Sequence, residues 1–406
     1  MVPMANQAGA VRPLNILMLL SNAFDPDPRV HREALALVEA GHRVTILCWD
    51  RDRKTQAEEM IDGIRLVRIH VDSTHGRGVG QVYYLAAFWA KAFASGRNKT
   101  FDVVHAHDFD TLPLGYALAR LKGAKLVYDS HESYVDMLFT LPKFLRKGIV
   151  FFENLLLKKS DLVITVGDLL LQHLQDRGAS NICVVGNWQD PKKFLFDDIR
   201  LQAAKNALGI RDEQLTIVFI ANLGRDRRIA EIIEVVSQMS ECHLVFGGLG
   251  PCVEQVQAAA KKYSNISYLG HVHPSMVPLY TAISDIVFYG FDPHSPNAQY
   301  SAPNKLFEAL AAGKAVITGD FGEIAKIVRS EQCGVVLSEY SVESIQAALV
   351  TLNPETLKKY SDNALMAAHE KYSWPVAANT LLTHYRELYA SSASPGQRVV
   401  SPRAIQ

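Results

Sequence analysis

The sequence has no excess of charge of either sign, because 42 Lys and Arg residues balance 42 Asp and Glu residues. Nucleic-acid-binding proteins usually carry a basic excess, so this balance argues against that class and leaves room only for a local basic patch. Hydrophobic residues make up 48% of the chain and charged residues 21%, which excludes a disordered chain and a collagen-like fibre. A length of 406 residues suggests two or three globular domains.

Cysteine is scarce as well: the five cysteines stand singly and form no Cys-x-x-Cys pair. An odd count without close spacing argues against a disulfide framework and against a zinc site. It predicts reduced, buried thiols in a cytosolic protein.

Long apolar runs are also missing. The stretch 83–94 contains Lys91 and falls short of the roughly 18–20 apolar residues that a membrane-spanning helix needs. The first 13 residues lack the charged-then-apolar layout of a signal peptide. We therefore expect a cytoplasmic protein that is either free in solution or peripheral on the inner face of the cell membrane.

Short apolar runs alternate with amphipathic stretches along the chain, which is typical of the β-α-β units of parallel sheets. Strand candidates in the first half are 16–20, 44–49, 64–69, 103–106, 126–128, 162–166 and 182–185. Those in the second half are 216–220, 243–246, 266–269, 286–289, 315–318 and 335–337. Helical patterns lie at 30–40, 82–95, 111–121, 229–239, 253–263, 276–283, 305–312, 342–351, 357–372 and 376–389.

The pattern predicts an α/β fold with two doubly wound, Rossmann-like domains, at 14–186 and 209–370. Segment 187–208 has no strand-like run, so we interpret it as an interdomain connection. A flexible segment is expected at 1–13 and a disordered tail at 391–406. Ligands of such sheets bind beyond the carboxyl ends of the strands, so two such domains offer a cleft between them.

The most informative segment is 303–317. Pro303 and Asn304 open a short predicted helix, Gly313 ends it, and an apolar strand follows. The carboxylate of Glu308 can accept hydrogen bonds from two neighbouring hydroxyls, as in a ribose diol. A glutamate near a helix start that only complements the helix dipole is the commoner case.

Residues 308–317 resemble the "E-A-x-A-x-G-x-P-V-I" signature of family 4 retaining glycosyltransferases of the GT-B fold, with Ala315 in the proline position. Six further motifs of that family occur in order, at 25–30 with 40–45, 102–108, 160–166, 187–194, 247–251 and 284–287. The resemblance covers 14–390. It implies two domains that face a central cleft and a C-terminal helix, 371–390, that packs back on the first domain.

Two departures from the family pattern stand out. Family members usually have a second glutamate eight positions before the helix glutamate, where this chain has Tyr300. Segment 292–300 replaces the usual glycine-rich donor loop, as in the family branch that reads "P-N-K-L-F-E". The first loop, 21–28, contains no glycine, whereas many relatives have a Gly-Gly turn there, so the resemblance does not extend to backbone contacts of that loop with phosphate or acceptor.

The resemblance implies where a nucleoside diphosphate sugar binds. Charge builds up on the departing diphosphate, and the family supplies basic residues from the loop after the first strand of the second domain. That loop carries Arg225 and Arg228, which we interpret as catalytic together with Lys305; a solvated turn is the alternative for the loop. The other expected donor contacts are Glu308, Asn304, Gly248, Gly250, His271, Val272, Asn297 and Tyr300.

His131 follows a predicted strand at its carboxyl end, where a doubly wound domain places site residues. The family has a histidine there, and the resemblance implies that His131 approaches the donor sugar from the acceptor side. His105 and His107 alternate along a strand, which favours core positions over catalysis. Weaker candidates on the acceptor side are Asp27, Arg29, Asp129 and Glu132.

Two Asp-x-Asp sequences, 25–27 and 108–110, match the metal-nucleotide motif of the other major glycosyltransferase fold. Such pairs occur often by chance, and neither lies in that architecture. We therefore expect no metal and no cofactor, with the nucleoside diphosphate sugar as donor substrate.

Segment 138–159 interleaves apolar and basic residues. Lys143 and Lys147 share one face of a predicted helix, and Leu145 and Ile149 share another. An amphipathic basic helix can lie on anionic lipid. A helix that packs on its own domain and leaves its basic side in water is an equal alternative.

The resulting hypothesis is a retaining, metal-independent hexosyltransferase that acts in exopolysaccharide or cell-envelope glycan synthesis. Its expected partners are a nucleotide-sugar donor, a glycan or lipid-linked glycan acceptor and a membrane surface through 138–159, but no nucleic acid. A sugar-nucleotide 2-epimerase of the same fold is an alternative, because fold alone does not fix function. Tyr300 in place of a glutamate leaves a second alternative, a non-catalytic partner subunit.

Overall fold

A computed structural model of the chain describes residues 12–24, 27–73, 80–138, 141–295 and 297–390. The expected tail at 391–406, most of the expected flexible segment 1–13 and part of the Asp-x-Asp sequence 25–27 lie outside the described residues. Within the described ranges, none of the helices has the length and apolar character needed to cross a membrane.

The first sheet contains eight strands: β1 (Asn15–Leu20), β2 (Arg43–Asp50), β3 (Glu58–Ile61), β4 (Ile64–His70), β5 (Val103–His107), β6 (Lys125–Ser130), β7 (Leu162–Thr165) and β8 (Ile182–Val184). Their order across the sheet is β3-β4-β2-β1-β5-β6-β7-β8. All neighbours are parallel except β3, which pairs antiparallel with β4 at the edge.

The second sheet contains six strands: β9 (Leu215–Ile220), β10 (Cys242–Gly247), β11 (Ile266–Tyr268), β12 (Ile286–Tyr289), β13 (Ala315–Gly319) and β14 (Gly334–Leu337). Their order is β11-β10-β9-β12-β13-β14, and all neighbours are parallel. The two sheets confirm the predicted pair of doubly wound α/β domains.

Helices connect the strands. Those of the first half are α1 (Pro28–Glu39), α2 (Gln81–Gly96), α3 (Leu112–Lys122), α4 (Tyr134–Met137), α5 (Lys143–Leu157), α6 (Asp168–Asp176) and α7 (Asp198–Ala207). Those of the second half are α8 (Ile229–Ser237), α9 (Val253–Lys262), α10 (Val277–Ala282), α11 (Asn304–Ala311), α12 (Gly322–Ser330), α13 (Val342–Thr351), α14 (Pro354–Glu370) and α15 (Trp374–Ala390).

Both faces of the central strands are buried, which explains their continuous apolar runs. Along β1, Leu17 and Leu19 enter one core, whereas Ile16 and Met18 enter another. β9 alternates in the same way between two cores. The core that contains Leu17 also contains Leu306 of α11, so apolar packing continues from the first domain into the second.

Helix α15 returns to the first domain. Its residues Ala377 and Leu381 belong to the core beside β1, and the hydroxyl of Tyr385 lies 2.8 Å from Nδ1 of the buried His105. The chain crosses between the domains a second time just before α15. Ser373 of this second crossing forms a parallel bridge with Gln189 of the first. The two crossing segments therefore lie side by side.

Five elements were not predicted from the sequence: the four-residue helix α4, helices α6, α7 and α12, and strand β3. Helix α7 lies inside the predicted connection 187–208, and none of its residues is buried, so it has no apolar periodicity to detect. Helix α6 buries only Leu170 and Leu174. Helix α12 begins at Gly322, a residue type that favours a loop in a sequence. Strand β3 is a four-residue edge strand with two glutamates.

Candidate active site

A cavity of about 900 Å³ lies between the two domains. Its second-domain wall is formed by the loops after β9, β10 and β11 and by the start of α11, which are the carboxyl ends of strands where α/β sheets bind ligands. The first domain contributes Pro28, His31 and Arg32 from α1. The cavity brings together six of the predicted donor-site residues, namely Gly248, His271, Val272, Asn304, Lys305 and Glu308.

Gly248 and Gly250 let two loops of the second domain approach each other. Gly248 has φ +125, and a Cβ there would lie 1.9 Å from the carbonyl oxygen of Ala221. Gly250 has φ +152, and a Cβ there would lie 2.6 Å from the carbonyl oxygen of Leu223. Only glycine fits such backbone conformations at this distance. The glycines therefore shape the wall of the cavity, although Gly250 itself does not line it.

Glu308 and Lys305 form an ion pair on α11, with 2.7 Å between Oε2 of Glu308 and Nζ of Lys305. Within the described residues, Oε1 of Glu308 accepts no hydrogen bond. The pair therefore offers a carboxylate oxygen and an ammonium group to the cavity, which suits a ligand that has both hydroxyls and negative charge. Asn304 begins the same helix, and its Oδ1 lies 3.4 Å from Nε2 of Gln189.

Arg32 is a site residue that the sequence reasoning missed. It lines the cavity opposite Glu308, and it donates hydrogen bonds to the carbonyl oxygen of Trp188 at 2.8 Å and to Oε1 of Gln189 at 3.1 Å. Burial, with Arg29 nearby, lowers the pKa of Arg32 to about 10, so the guanidinium stays charged at neutral pH. Its spacing of three residues from Arg29, in the first turns of a helix after β1, is the only signal that the sequence offers.

The loop between β9 and α8, residues 221–228, contains three arginines, and we call it the arginine loop. The three arginines have different surroundings. Arg228 adopts φ 53 just before α8, and its guanidinium lies 3.4 Å from Glu231 and 3.3 Å from Asp292, all on the second domain. Burial and the neighbouring Asp108 raise the pKa of Glu132, and the positive charges of His131 and Arg227 oppose that rise, so Arg227 lies near the first domain. Arg225 is exposed. Neither Arg225 nor Arg228 lines the 900 Å³ cavity.

His131 lies between two carboxylates. Its Nδ1 is 3.2 Å from Oδ2 of Asp108, and its Nε2 is 3.0 Å from Oδ2 of Asp129. Burial acts to lower the pKa of His131, but the two carboxylates raise it well above its usual value. The two carboxylates engage both ring nitrogens and favour the imidazolium form of His131, which supplies positive charge rather than a proton acceptor.

The other acceptor-side candidates mainly support that histidine. Asp129 is fully buried and accepts hydrogen bonds from Arg29, His107 and His131, so it positions His131 and does not face the cleft. Arg29 is buried as well. Asp27 caps the N-terminus of α1 by accepting hydrogen bonds from two backbone amides.

A buried polar cluster lies behind His131. Ligand-type atoms of Glu33, His105, His107 and Asp129 lie within 4.8 Å of one another. The guanidinium of Arg29 already supplies a positive charge there, 3.1 Å from Glu33 and 2.8 Å from Asp129, so a metal cation would add charge beside an existing cation. Burial raises the pKa of Glu33 to about 8.

The predicted donor loop contacts the first domain. Oδ1 of Asn297 accepts a hydrogen bond from the backbone amide of Ser133 at 2.9 Å, and the hydroxyl of Tyr300 lies 3.2 Å from Nδ1 of His173. Both residues line a separate cavity of about 330 Å³ and not the 900 Å³ cavity. Tyr300, which stands where the family has a glutamate, therefore contributes an interdomain contact.

Comparison with known proteins identifies both halves of the chain. A model for a glycosyl transferase 4-like domain matches residues 26–188, and one for glycosyl transferases group 1 matches residues 202–365. An uncharacterized glycosyltransferase of Methanocaldococcus jannaschii is 23% identical over 383 residues, which cover 88% of this chain and 93% of that protein. The alpha-monoglucosyldiacylglycerol synthase of Acholeplasma laidlawii is 24% identical over 327 residues, 75% of this chain and 80% of the synthase.

Among solved structures, Anabaena HepE in complex with UDP superimposes with a TM-score of 0.72. The match covers 92% of this chain and 100% of HepE, at 14% identity, which shows a shared fold. The two domain matches, the two parallel sheets and the interdomain cavity agree with one another. The chain therefore belongs to the glycosyltransferases of the GT-B fold, with a glycosyl transferase 4-like domain followed by a glycosyl transferases group 1 domain.

Proposed function

We propose that this glycosyltransferase transfers a hexosyl unit from a nucleoside diphosphate sugar to an acceptor hydroxyl with retention of configuration, in exopolysaccharide or cell-envelope glycan synthesis. The observation that carries the proposal is the 900 Å³ interdomain cavity, in which Glu308 and Lys305 lie together with Gly248, His271 and Arg32. That combination suits a ligand with a base, a diol and phosphate groups. The UDP held by HepE and the glucosylated lipid named for the Acholeplasma synthase support a donor and an acceptor of these classes.

In this proposal the ribose diol binds the carboxylate of Glu308, because its Oε1 accepts no hydrogen bond from the residues that the structure describes. The base lies against the backbone at His271 and Val272, which line the cavity after β11. The sugar points toward the segment from Asn297 to Asn304.

The diphosphate then lies among cations. Lys305 lies within the cavity, and the arginine loop follows β9 at its carboxyl end. We assign the loop's role to Arg225 and Arg227, because the guanidinium of Arg228 lies within 3.4 Å of two carboxylates, Glu231 and Asp292, whereas that of Arg227 lies 3.6 Å from one, Asp226. These side chains would stabilise the charge that develops on the leaving phosphate without a metal.

The proposed step breaks the bond between the sugar C1 and the diphosphate oxygen. The acceptor oxygen bonds to C1 from the same face, and its proton passes to a phosphate oxygen of the leaving group. The doubly paired His131 contributes positive charge near the sugar rather than a proton acceptor. Closure of the two domains limits hydrolysis of the donor by water.

Thermal-shift measurements with UDP, GDP, ADP and TDP test this proposal. A nucleotide present at about 100 times its Kd stabilises the native state by about 2.7 kcal/mol, which corresponds to a rise in Tm of roughly 5 °C. We expect one of the four to raise Tm by that amount, and its sugar conjugates to do the same. No shift with any of them would overturn the proposal. An epimer formed from the donor alone would favour the epimerase alternative, which the relatives described above do not support.

A further inference from the structure

The charged side chains along the wall of the 900 Å³ cavity are mostly cations. Of the five Lys, Arg, Asp and Glu residues that line it, one is an anion, Glu308, and four are cations, namely Arg32, Lys193, Arg200 and Lys305. The whole chain, by contrast, has no net charge. A cleft lined by one sign of charge focuses its field on ligands of the opposite sign, so this wall suits an anionic ligand.

Two of these cations, Lys193 and Arg200, lie in the segment 187–208, which the sequence predicted as an interdomain connection. Lys193 belongs to a single 3-10 turn and Arg200 to the first turn of α7. Helix α10 packs against both of these elements and itself lines the cavity with Val277. The guanidinium carbon of Arg200 lies 4.9 Å from the ring centre of Phe196, a further lining residue. The connection is therefore a wall of the cavity as well as a link between the domains.

Neither of these two cations is paired with a carboxylate in the part of the chain that the structure describes. The side chains of Lys193 and Arg200 are both exposed. The carboxylates of the same segment belong to Asp190, Asp197 and Asp198, and none of the three lines the cavity. The two positive charges are therefore available to a ligand that approaches the cavity from solution.

The position of these cations suits the approach of a ligand more than its retention. The groups proposed above to hold the bound donor are Lys305, Glu308 and the arginine loop. Exposed charges beside a site also act at a distance, because the electrostatic screening length is about 30 Å at 0.01 M ionic strength. Changing such charges alters mainly the association rate and its salt dependence, whereas changing one partner of a buried charge pair alters dissociation.

We propose that Lys193 and Arg200 steer the anionic donor into the interdomain cavity and so set its association rate constant. Their charges act while the donor approaches, and the bound donor is then held by Lys305, Glu308 and the arginine loop. This inference rests on the proposed function, because it concerns the donor of the same site. It adds the segment 187–208 to the parts of the chain that serve donor binding.

Stopped-flow kinetics of nucleotide binding, followed by tryptophan fluorescence, tests the proposal with the nucleotide that the thermal-shift measurements select. At about 10 mM ionic strength we expect Lys193→Gln/Arg200→Gln to lower the association rate constant at least about threefold and to leave the dissociation rate constant within about 1.5-fold. At about 0.5 M salt, screening should bring the two association rate constants within about 1.5-fold of each other. The matched control, Lys192→Gln/Lys205→Gln, removes the same charge from residues of the same segment that do not line the cavity, and it should bind like the parent protein.

An unchanged association rate constant in Lys193→Gln/Arg200→Gln, or an equal decrease in the control, would overturn the proposal. A change confined to the dissociation rate constant would overturn it as well, because the two cations would then contact the bound donor. A decrease in association that persists in high salt would exclude an electrostatic cause. If the parent protein binds none of the four nucleotides, the proposed function fails and this inference fails with it, whereas nucleotide binding with unchanged association removes this inference alone.

Discussion

Glu323 of the second domain accepts a hydrogen bond from the backbone amide of Leu169 in the first domain, at a distance of 2.8 Å. Its carboxylate is buried at the N-terminus of α6, where the helix dipole favours negative charge. Gly167 makes room for it, because a Cβ there would lie 3.0 Å from the Glu323 side chain. A residue of one domain thus caps a helix of the other and stabilises the interdomain arrangement that surrounds the cavity.

Replacement of Glu323 should therefore destabilise the chain. We expect Glu323→Ala to lower the free energy of unfolding by about 1–2 kcal/mol, since it removes a helix cap and leaves the Leu169 amide unpaired. Urea unfolding measures this change. Lys326→Ala is the matched control from the same helix: its ion pair with Asp168 is about half exposed on both sides, so its loss should cost under about 0.5 kcal/mol. Equal effects of the two variants would contradict the capping role.

The charge on His131 predicts a pH dependence of stability. The carboxylates of Asp108 and Asp129 outweigh burial and raise its pKa in the folded state above the unfolded value. The stabilisation that charged His131 gives the folded state is therefore complete below about pH 6.5. It is lost as the pH rises through the pKa of His131 in the folded state. We expect the unfolding free energy to decline above pH 6.5, and to decline less in His131→Gln.

Urea unfolding at several pH values from 6 to 9 measures this decline. Burial raises the pKa of Glu33 to about 8, so Glu33 adds its own decline between about pH 4.5 and 8; because the charge of His131 lowers the pKa of Glu33, this decline is larger in His131→Gln and works against the expected difference. Parallel curves for the parent protein and His131→Gln would show that the imidazolium contributes no pH-dependent stability.

Arg227 and Arg228 should differ in their effect on nucleotide binding. Arg228 is held by two carboxylates, Glu231 and Asp292, whereas Arg227 is paired with Asp226 alone, at 3.6 Å, and its charge reaches Glu132 across the domain boundary. A charge-assisted hydrogen bond to phosphate is worth about 1.5–3 kcal/mol, so Arg227→Ala should raise the Kd of the nucleotide about 10- to 100-fold. Arg228→Ala should change it by less than about fivefold. Calorimetric titration distinguishes them, and the reverse order would return the phosphate role to Arg228.

The sequence predicted the two-domain fold because its strands are buried on both faces and appear as apolar runs, and this prediction is confirmed. The resemblance of segments 247–251 and 308–317 to the family's motifs implied Gly248 and Glu308, and Lys305 was inferred from its position three residues before Glu308; the structure places all three at the cavity. Helix α7 was missed because none of its residues is fully buried and only Leu201 and Ala204 pack partly against the core. Arg32 was missed because its only signal is its spacing from Arg29 in the first turns of α1, and only the approach of the second domain gives it a cavity to line.

The different roles of the acceptor-side residues also could not be predicted from the sequence. Nothing local distinguishes Asp129, which is fully buried, from Glu132, which is not. The burial of Asp129 follows from its contact with Arg29, a residue 100 positions away in the chain. Pairings at that separation depend on the tertiary fold and not on a sequence pattern.

The central claim is that Glu308 holds the nucleotide of the donor, and titration of the Glu308→Gln variant tests it most directly. With the nucleotide that the thermal-shift panel selects, calorimetry should give a Kd about 10- to 100-fold higher than that of the parent protein, because a charged acceptor of two hydroxyls is lost. Glu343→Gln, an exposed glutamate in the first turn of α13 and outside the cavity, should bind like the parent. An unchanged Kd in Glu308→Gln would contradict the account.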